Sequence, residues 1–239
     1  MYTAAITAIL ELVPGIQEFR VSFPELASMC IKPGQHMMVT HAHVKGDDGE
    51  MIKRPFAIVS PPAMRDTLVF CVRISPASNP LVSHLATLRV GDTLFLDGPH
   101  GTHVLHDSDN DCIFVVGGTG LAGVLPMIRH LAMDGMKRKA ILFYSIKTPE
   151  QYLYREELEH LAAKYVERFK VITTFTNISS NSVHYFTGRL SEDMIAKHVP
   201  FVNTKRAEIY ICGSPAMIQD MNGILEKLGL GKNIINARK

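Results

Sequence analysis

Ile113-Phe114-Val115-Val116-Gly117-Gly118-Thr119-Gly120-Leu121-Ala122-Gly123 is the stretch whose reading decides the fold. The first four residues are apolar and mostly β-branched or aromatic, the composition of a buried strand. Beyond the glycines, Val124–Met133 reads as a helix. Between strand and helix, Gly118, Thr119 and Gly120 let backbone amides approach a pyrophosphate, and the helix N-terminus adds partial positive charge. A tight turn needing glycine for left-handed angles would look the same locally. The flanking strand and helix are the context that favours the phosphate loop.

Downstream, the apolar segments Cys112–Val116, Ala140–Tyr144, Phe169–Thr174 and Glu208–Cys212 alternate with amphipathic helices. Thr148, Pro149 and Gln151 look like the start of the second helix; Ser214-Pro215 opens the last, and Ser191 caps a shorter one. This alternation predicts an α/β domain over residues 107–239, built on a five-stranded parallel sheet. An NAD-type fold expects an acidic residue after the second strand to hold the ribose hydroxyls. Here that place reads Tyr144-Ser145-Ile146-Lys147-Thr148. The hydroxyl of Ser145 and the cation of Lys147 suit a 2′-phosphate, which favours NADP over NAD; a solvated loop lysine is the competing reading.

Upstream, the pattern is one of short strands between turn residues. Ala4–Leu12, Gln17–Phe23, Gln35–Val44, Phe56–Val59, Leu68–Ile74 and Thr93–Asp97 are separated by Pro, Gly and Asn, with one helical stretch at Leu81–Leu88. Six strands at this spacing predict a six-stranded antiparallel Greek-key barrel over residues 1–106. The polar run Asp107-Ser108-Asp109-Asn110-Asp111 reads as a linker. The whole is then an α+β two-domain protein, a division that 239 residues allow.

Composition narrows the function classes. A net charge of +2, with no stretch collecting Lys and Arg on one face, argues against nucleic-acid binding. Met1–Leu12 has neither a basic n-region nor a cleavage site and reads as a mature strand. The most apolar run, Cys112–Met133, is broken by glycines and a proline, so no membrane insertion is expected. Cys30, Cys71, Cys112 and Cys212 form no Cys-x-x-Cys pair, which argues against a zinc ribbon or iron–sulfur cluster and fits free thiols in a cytoplasmic protein. His41 with His43, and His100 with His103 and His106, bring no carboxylate or thiolate at a ligand spacing, so no metal site is expected. There is no Gly-x-Ser-x-Gly elbow for a serine hydrolase.

Several segments, in order along nearly the whole chain, resemble the ferredoxin–NADP reductase family, with its flavin reductases and oxygenase reductase components. They are Pro33-Gly34-Gln35, Arg54-Pro55-Phe56-Ala57-Ile58, Cys71-Val72-Arg73, Leu81-Val82-Ser83, Gly91-Asp92 and Gly98-Pro99-His100-Gly101. Gly117-Gly118-Thr119-Gly120, Arg155-Glu156-Glu157-Leu158 and Cys212-Gly213-Ser214-Pro215-Ala216-Met217 complete the set. The resemblance implies FAD on the barrel. Arg54 and Pro55 would lie at its diphosphate and Phe56 and Ala57 at the ring, with Cys71, Val72, Arg73, Leu81, Val82 and Ser83 along its phosphate arm. It implies NADP, or NAD, at Gly118, Thr119, Gly120, Ser145, Lys147, Gly213 and Met217, with Cys212 facing the nicotinamide. The implied activity is hydride transfer from NAD(P)H to flavin and on to a separate acceptor: ferredoxin, flavodoxin or an oxygenase component. Two alternatives stand beside it, a reductase that takes free flavin as a diffusible substrate and a non-catalytic flavin- or nucleotide-binding regulatory module. The chain departs from the family pattern at Ala57, where a serine hydroxyl is usual, at Phe56, which lacks a phenol, and at Ile234–Lys239, where plant-type relatives carry an aromatic over the flavin.

Overall fold

The computed structural model describes residues 1–75, 79–178 and 186–238; Lys239, part of the terminal stretch just named, lies outside them. The chain divides into two compact units, Met1–Leu105 with Leu125–Met127, and His106–Val124 with Ile128–Lys239.

In the first unit, β1 (Tyr2–Val13) and β2 (Ile16–Ser22) form a hairpin around Pro14-Gly15, with Gly15 at a φ of 75° that favours glycine. β3 (His36–Thr40), β4 (Arg54–Ala57), β5 (Leu68–Arg73), the short helix α1 (Pro80–Leu85) and β6 (Thr93–His100) follow. Every pairing is antiparallel and the order is β4-β3-β6-β1-β2-β5. The two edge strands meet where Ile58 bridges Phe70 and the Val59 amide donates to the Val69 carbonyl at 2.8 Å, so the sheet closes as a barrel. Inward residues of each strand, among them Ile6, Phe19, Met37, Leu68, Phe70 and Leu96, fill the barrel with Leu81, Val82 and Leu85 of α1.

The second unit is a six-stranded, wholly parallel sheet of order β10-β9-β8-β7-β11-β12. Its elements in sequence are β7 (Cys112–Gly117), α2 (Leu121–Met133), β8 (Ala140–Ile146), α3 (Arg155–Lys164), β9 (Phe169–Phe175), β10 (Phe186–Thr187), α4 (Glu192–His198), β11 (Glu208–Cys212), α5 (Pro215–Lys227) and β12 (Ile234–Arg238). The sheet has one strand more than the five expected; neither β10, only two residues long, nor β12 is among the four segments read as strands above. The central strands are apolar on both faces, as a sheet covered by helices on both sides requires. The chain adds β8, β9 and β10 on one side of β7 and β11 with β12 on the other, so the switch point lies between β7 and β11.

One expected helix start is displaced. Thr148 precedes only a 3-10 turn, Pro149–Gln151, and makes no capping bond there; α3 begins at Arg155, after Tyr154 in a left-handed conformation with φ 51°. Ser191 and Ser214 do cap α4 and α5, accepting from the amides of Met194 and Met217 at 3.3 Å each.

The polar run before β7 is anchored rather than free. Asp111 accepts from the amides of Lys139 (2.9 Å) and Asn203 (2.7 Å). Glu208, 5% exposed at the start of β11, accepts from Ser108 (2.7 Å), Asn110 (3.2 Å), Arg138 (2.8 Å) and Tyr210 (2.9 Å). Arg138 also donates to the carbonyls of Asn110 and His106. Burial pushes the Glu208 carboxyl up, but these hydrogen bonds and the Arg138 charge outweigh it and hold it below the usual carboxylate range.

Candidate functional site

The glycine loop sits at the switch point of the parallel sheet. β7 ends at Gly117, Gly118–Gly120 form one 3-10 turn with Gly118 at φ 53°, and α2 begins at Leu121. The side chain of Tyr144 on β8, fully buried, donates its hydroxyl to the Gly118 carbonyl at 3.1 Å and fixes the turn from below. Across the switch point, β11 ends at Cys212, whose neighbour on β7 is Val116.

The two strand ends approach so closely that glycine is obligatory between them. A Cβ on Gly120 would lie 2.2 Å from the Cys212 carbonyl oxygen and 2.7 Å from its carbon. On Gly123 it would lie 2.9 Å from the Cys212 Sγ, which therefore packs over the first turn of α2. Met217, in the first turn of α5, lays its sulfur over both loops, 2.4 Å from a Cβ on Gly117 and 2.7 Å from one on Gly213. Close backbone approach at a strand–helix turn is what a pyrophosphate needs, and the loop fits that group.

Beside the loop lies a cavity of about 300 Å³ lined by Ser145, Lys147, Thr176, Arg189, Ser214 and Asp220, with Leu190, Ala216, Met217 and Met221. Apart from Asp220, in the second turn of α5, each polar residue comes from the carboxyl end of a strand or the start of the helix after it, which is why they converge. Sequence reading singled out Ser145, Lys147 and Met217 but not Thr176, Arg189, Ser214 or Asp220 as cavity residues. Arg189 follows the two-residue strand β10, and no periodic pattern marks its place. Arg189 and Asp220 are 3.5 Å apart and largely exposed, a pairing worth little in water.

In the barrel unit the flavin-motif residues occupy its closing seam. Arg54, Pro55, Phe56 and Ala57 make up edge strand β4, paired through Val39, Met38, Met37 and His36 of β3. Proline is tolerated there because its missing N–H faces away from the ladder. Beyond the Ile58–Phe70 bridge, Ala57 and Phe56 run toward Cys71 and Val72 of β5, so both motifs reach the same seam from opposite edges. The Arg54 guanidinium is exposed and spends one donor on the Lys53 carbonyl at 2.9 Å, leaving most of its fork for an anion. Phe56 is half-buried, its ring 6.4 Å from that of Phe70. Leu81 and Val82 are core residues, whereas Ser83 and Arg73 are exposed.

The Arg155-Glu156-Glu157 segment opens α3 and is held by ion pairs. Arg155 pairs with Glu159 one turn on at 2.8 Å, and Glu157 receives two parallel hydrogen bonds of 2.7 Å from Arg129 of α2. The histidine pair His41 and His43 is joined by His84 of α1, 41 residues further along and invisible to any spacing rule. Among the described residues no disulfide joins Cys30, Cys71, Cys112 or Cys212; burial pushes the Cys112 thiol up to about 12, while Cys30 is exposed. Among the described residues no helix is long and apolar enough to cross a membrane.

Comparison with known proteins matches residues 4–104 to the oxidoreductase FAD-binding domain and residues 114–223 to the oxidoreductase NAD-binding domain. NADH-cytochrome b5 reductase 2 of Mycosarcoma maydis is 27% identical over 183 residues, 75% of this chain and 51% of that protein. The reductase component of propane 2-monooxygenase from Mycolicibacterium goodii is 25% identical over 234 residues, 95% of this chain and 65% of that one. The chain thus spans about half to two thirds of the length of these two relatives. In fold it is similar to a ferredoxin NADP+ reductase from Neisseria gonorrhoeae with bound FAD and NADP, at a TM-score of 0.81 and 20% identity over 99% of this chain and 97% of that one.

Proposed function

Because the chain belongs to the FAD- and NAD-binding oxidoreductases of the ferredoxin–NADP reductase family, we propose that it takes hydride from NADPH onto bound FAD and passes electrons to a separate acceptor. The observation that carries this reading is the glycine loop packed against Cys212 and Gly213, beside a cavity with two cations. The loop amides would hold the dinucleotide pyrophosphate. Ser145, Thr176, Lys147 and Arg189 would take its adenosine end, and Lys147 with Arg189 supports a 2′-phosphate. Cys212, at the strand end next to the loop, is the residue proposed to face the nicotinamide.

On the barrel, Arg54 would bind the FAD diphosphate and Phe56 would pack against the flavin, with backbone of Cys71–Arg73 and the Ser83 hydroxyl along the phosphate arm. Bound FAD would supply the conversion of a two-electron donor into single electrons. The protein's own part is to hold, orient and screen; no side chain is required as a strong acid or base. Ala57 contributes no hydroxyl at the ring, so the flavin environment is more apolar than in relatives with serine there. The relatives serve cytochrome b5 and an oxygenase, by their names, which supports a protein acceptor. Four cysteines with no disulfide among the described residues support a reducing, cytoplasmic setting.

An anaerobic visible spectrum before and after addition of each nicotinamide tests the proposal. A yellow protein bleached within minutes, faster by NADPH than by NADH, is the expected result. A colourless protein that reduces added flavin would favour the diffusible-flavin reading. Bound flavin that neither nucleotide bleaches would leave only a binding module. Asp220 favours one second reading: its carboxylate lines the same cavity and would suit ribose hydroxyls, so faster bleaching by NADH would assign the cavity to NAD.

A further inference from the structure

His41 and His43, just after β3, and His84, on the second turn of α1, bring three imidazoles together on the barrel unit. One ring nitrogen of each lies within 4.8 Å of the other two. The His41 and His84 rings are 4.2 Å apart between centroids, and those of His41 and His43 5.0 Å. His84 Nε2 is buried with no hydrogen-bond partner among the described residues. An orphaned buried nitrogen costs stability unless something binds it. None of the three histidines is among the residues assigned above to flavin or nucleotide, although His84 directly follows Ser83 of the proposed phosphate arm.

We propose that His41, His43 and His84 form a binding site for a divalent transition metal of the zinc class, which ties α1 to the end of β3. Three neutral imidazoles without thiolate or hard oxygen ligands select zinc, cobalt, nickel or copper over magnesium or calcium. The Asp92 carboxylate is near enough to act on His41 electrostatically. As the rings stand, His41 Nδ1 accepts from the His43 amide at 3.2 Å. If His41 coordinates through Nδ1, the ion replaces that weak bond, and nitrogens now within 4.8 Å of one another draw in to the roughly 3.4 Å that metal–nitrogen bonds of about 2.0–2.1 Å in a tetrahedron demand. Solvent would fill the fourth position, on the exposed His43 side.

Titration of the full-length, flavin-loaded protein with Zn²⁺ in a calorimeter, and with Co²⁺ followed by difference absorption, tests the site. One ion per chain is expected, with tetrahedral cobalt bands and a melting temperature that rises with metal concentration. His43→Gln and His84→Gln should each weaken binding by at least about tenfold. His160→Gln, on exposed α3, should leave it unchanged. His43 is exposed, so its variant folds whatever becomes of His84. Binding that does not saturate at one ion, or that survives both His43→Gln and His84→Gln, would overturn the proposal.

Discussion

Replacing Gly120 by alanine adds a methyl group 2.2 Å from the Cys212 carbonyl oxygen, about 1 Å inside the 3.4 Å at which ordinary contact begins. Both partners are backbone, so no rotamer change can relieve the overlap. Either the turn Gly118–Gly120 retreats from β11, or the end of β11 bends away from β7. Overpacking of this kind costs about 1–3 kcal/mol, and each kcal/mol lowers Tm by roughly 2–4 °C in a protein of this size. Function should suffer more. A displacement of about 1 Å in a loop that positions a reacting group costs roughly a hundredfold, about 2.7 kcal/mol of barrier. Gly223→Ala is the matched control: it lies inside α5, and a Cβ there meets nothing within 4 Å. That substitution should stabilise by about 0.5–1 kcal/mol, because alanine gives up less chain entropy than glycine. Stopped-flow reduction of the flavin gives the kinetics and thermal unfolding the stability. If Gly120→Ala keeps the parent kcat/KM and Tm, the close approach does not constrain the loop and the reasoning fails.

Arg54→Ala should weaken FAD binding by roughly 10- to 150-fold, the worth of charge-assisted bonds of about 1.5–3 kcal/mol. Flavin released on dilution reads this out, and Arg54→Lys should recover only part of it because a point charge lacks the planar fork. Glu208→Ala should destabilise the nucleotide unit by about 3–5 kcal/mol, since it strands the buried guanidinium of Arg138. The Glu208 carboxyl titrates below its unfolded value. Its stabilisation is therefore complete above the unfolded pKa and disappears as pH falls through the folded one. Urea midpoints measured from neutral pH into acid should fall for the parent and fall less for Glu208→Ala; parallel curves would show that the carboxylate carries no folding free energy.

Much of the architecture is legible in the sequence because its two halves use different periods. The barrel strands alternate between faces and end at Pro14-Gly15, Pro33-Gly34 or Gly91-Asp92, so each turn announces itself. The central strands of the parallel sheet are apolar throughout, a signature of burial on both sides. What stays hidden depends on contacts distant in sequence. Thr148 and Pro149 carry every local mark of a helix start, yet Tyr154 adopts left-handed angles with Arg129 5.0 Å from its ring, and the helix waits for Arg155. β10 exists only because Phe186 and Thr187 pair with Thr174 and Phe175, which no pattern of two residues can signal. In the site, the glycine loop was readable and Arg189 was not, because a lone arginine after a turn looks like any solvated cation. His84 lacked a readable partner for the same reason: it lies 41 positions beyond His43 and 43 beyond His41.

The Glu208 carboxylate and its four donors lie where β11 begins, and the glycine loop lies where β7 ends, so one sheet keeps its anchor and its chemistry at opposite edges. Exchanges around the cavity, at Lys147, Arg189 or Asp220, therefore leave the anchor untouched, and the dinucleotide could be re-chosen by small steps without each step risking collapse. In an adaptive sense the nucleotide unit is a chassis with one replaceable end. Laboratory selection for a different nicotinamide should accumulate its changes there and leave Ser108, Asn110, Arg138 and Tyr210 alone.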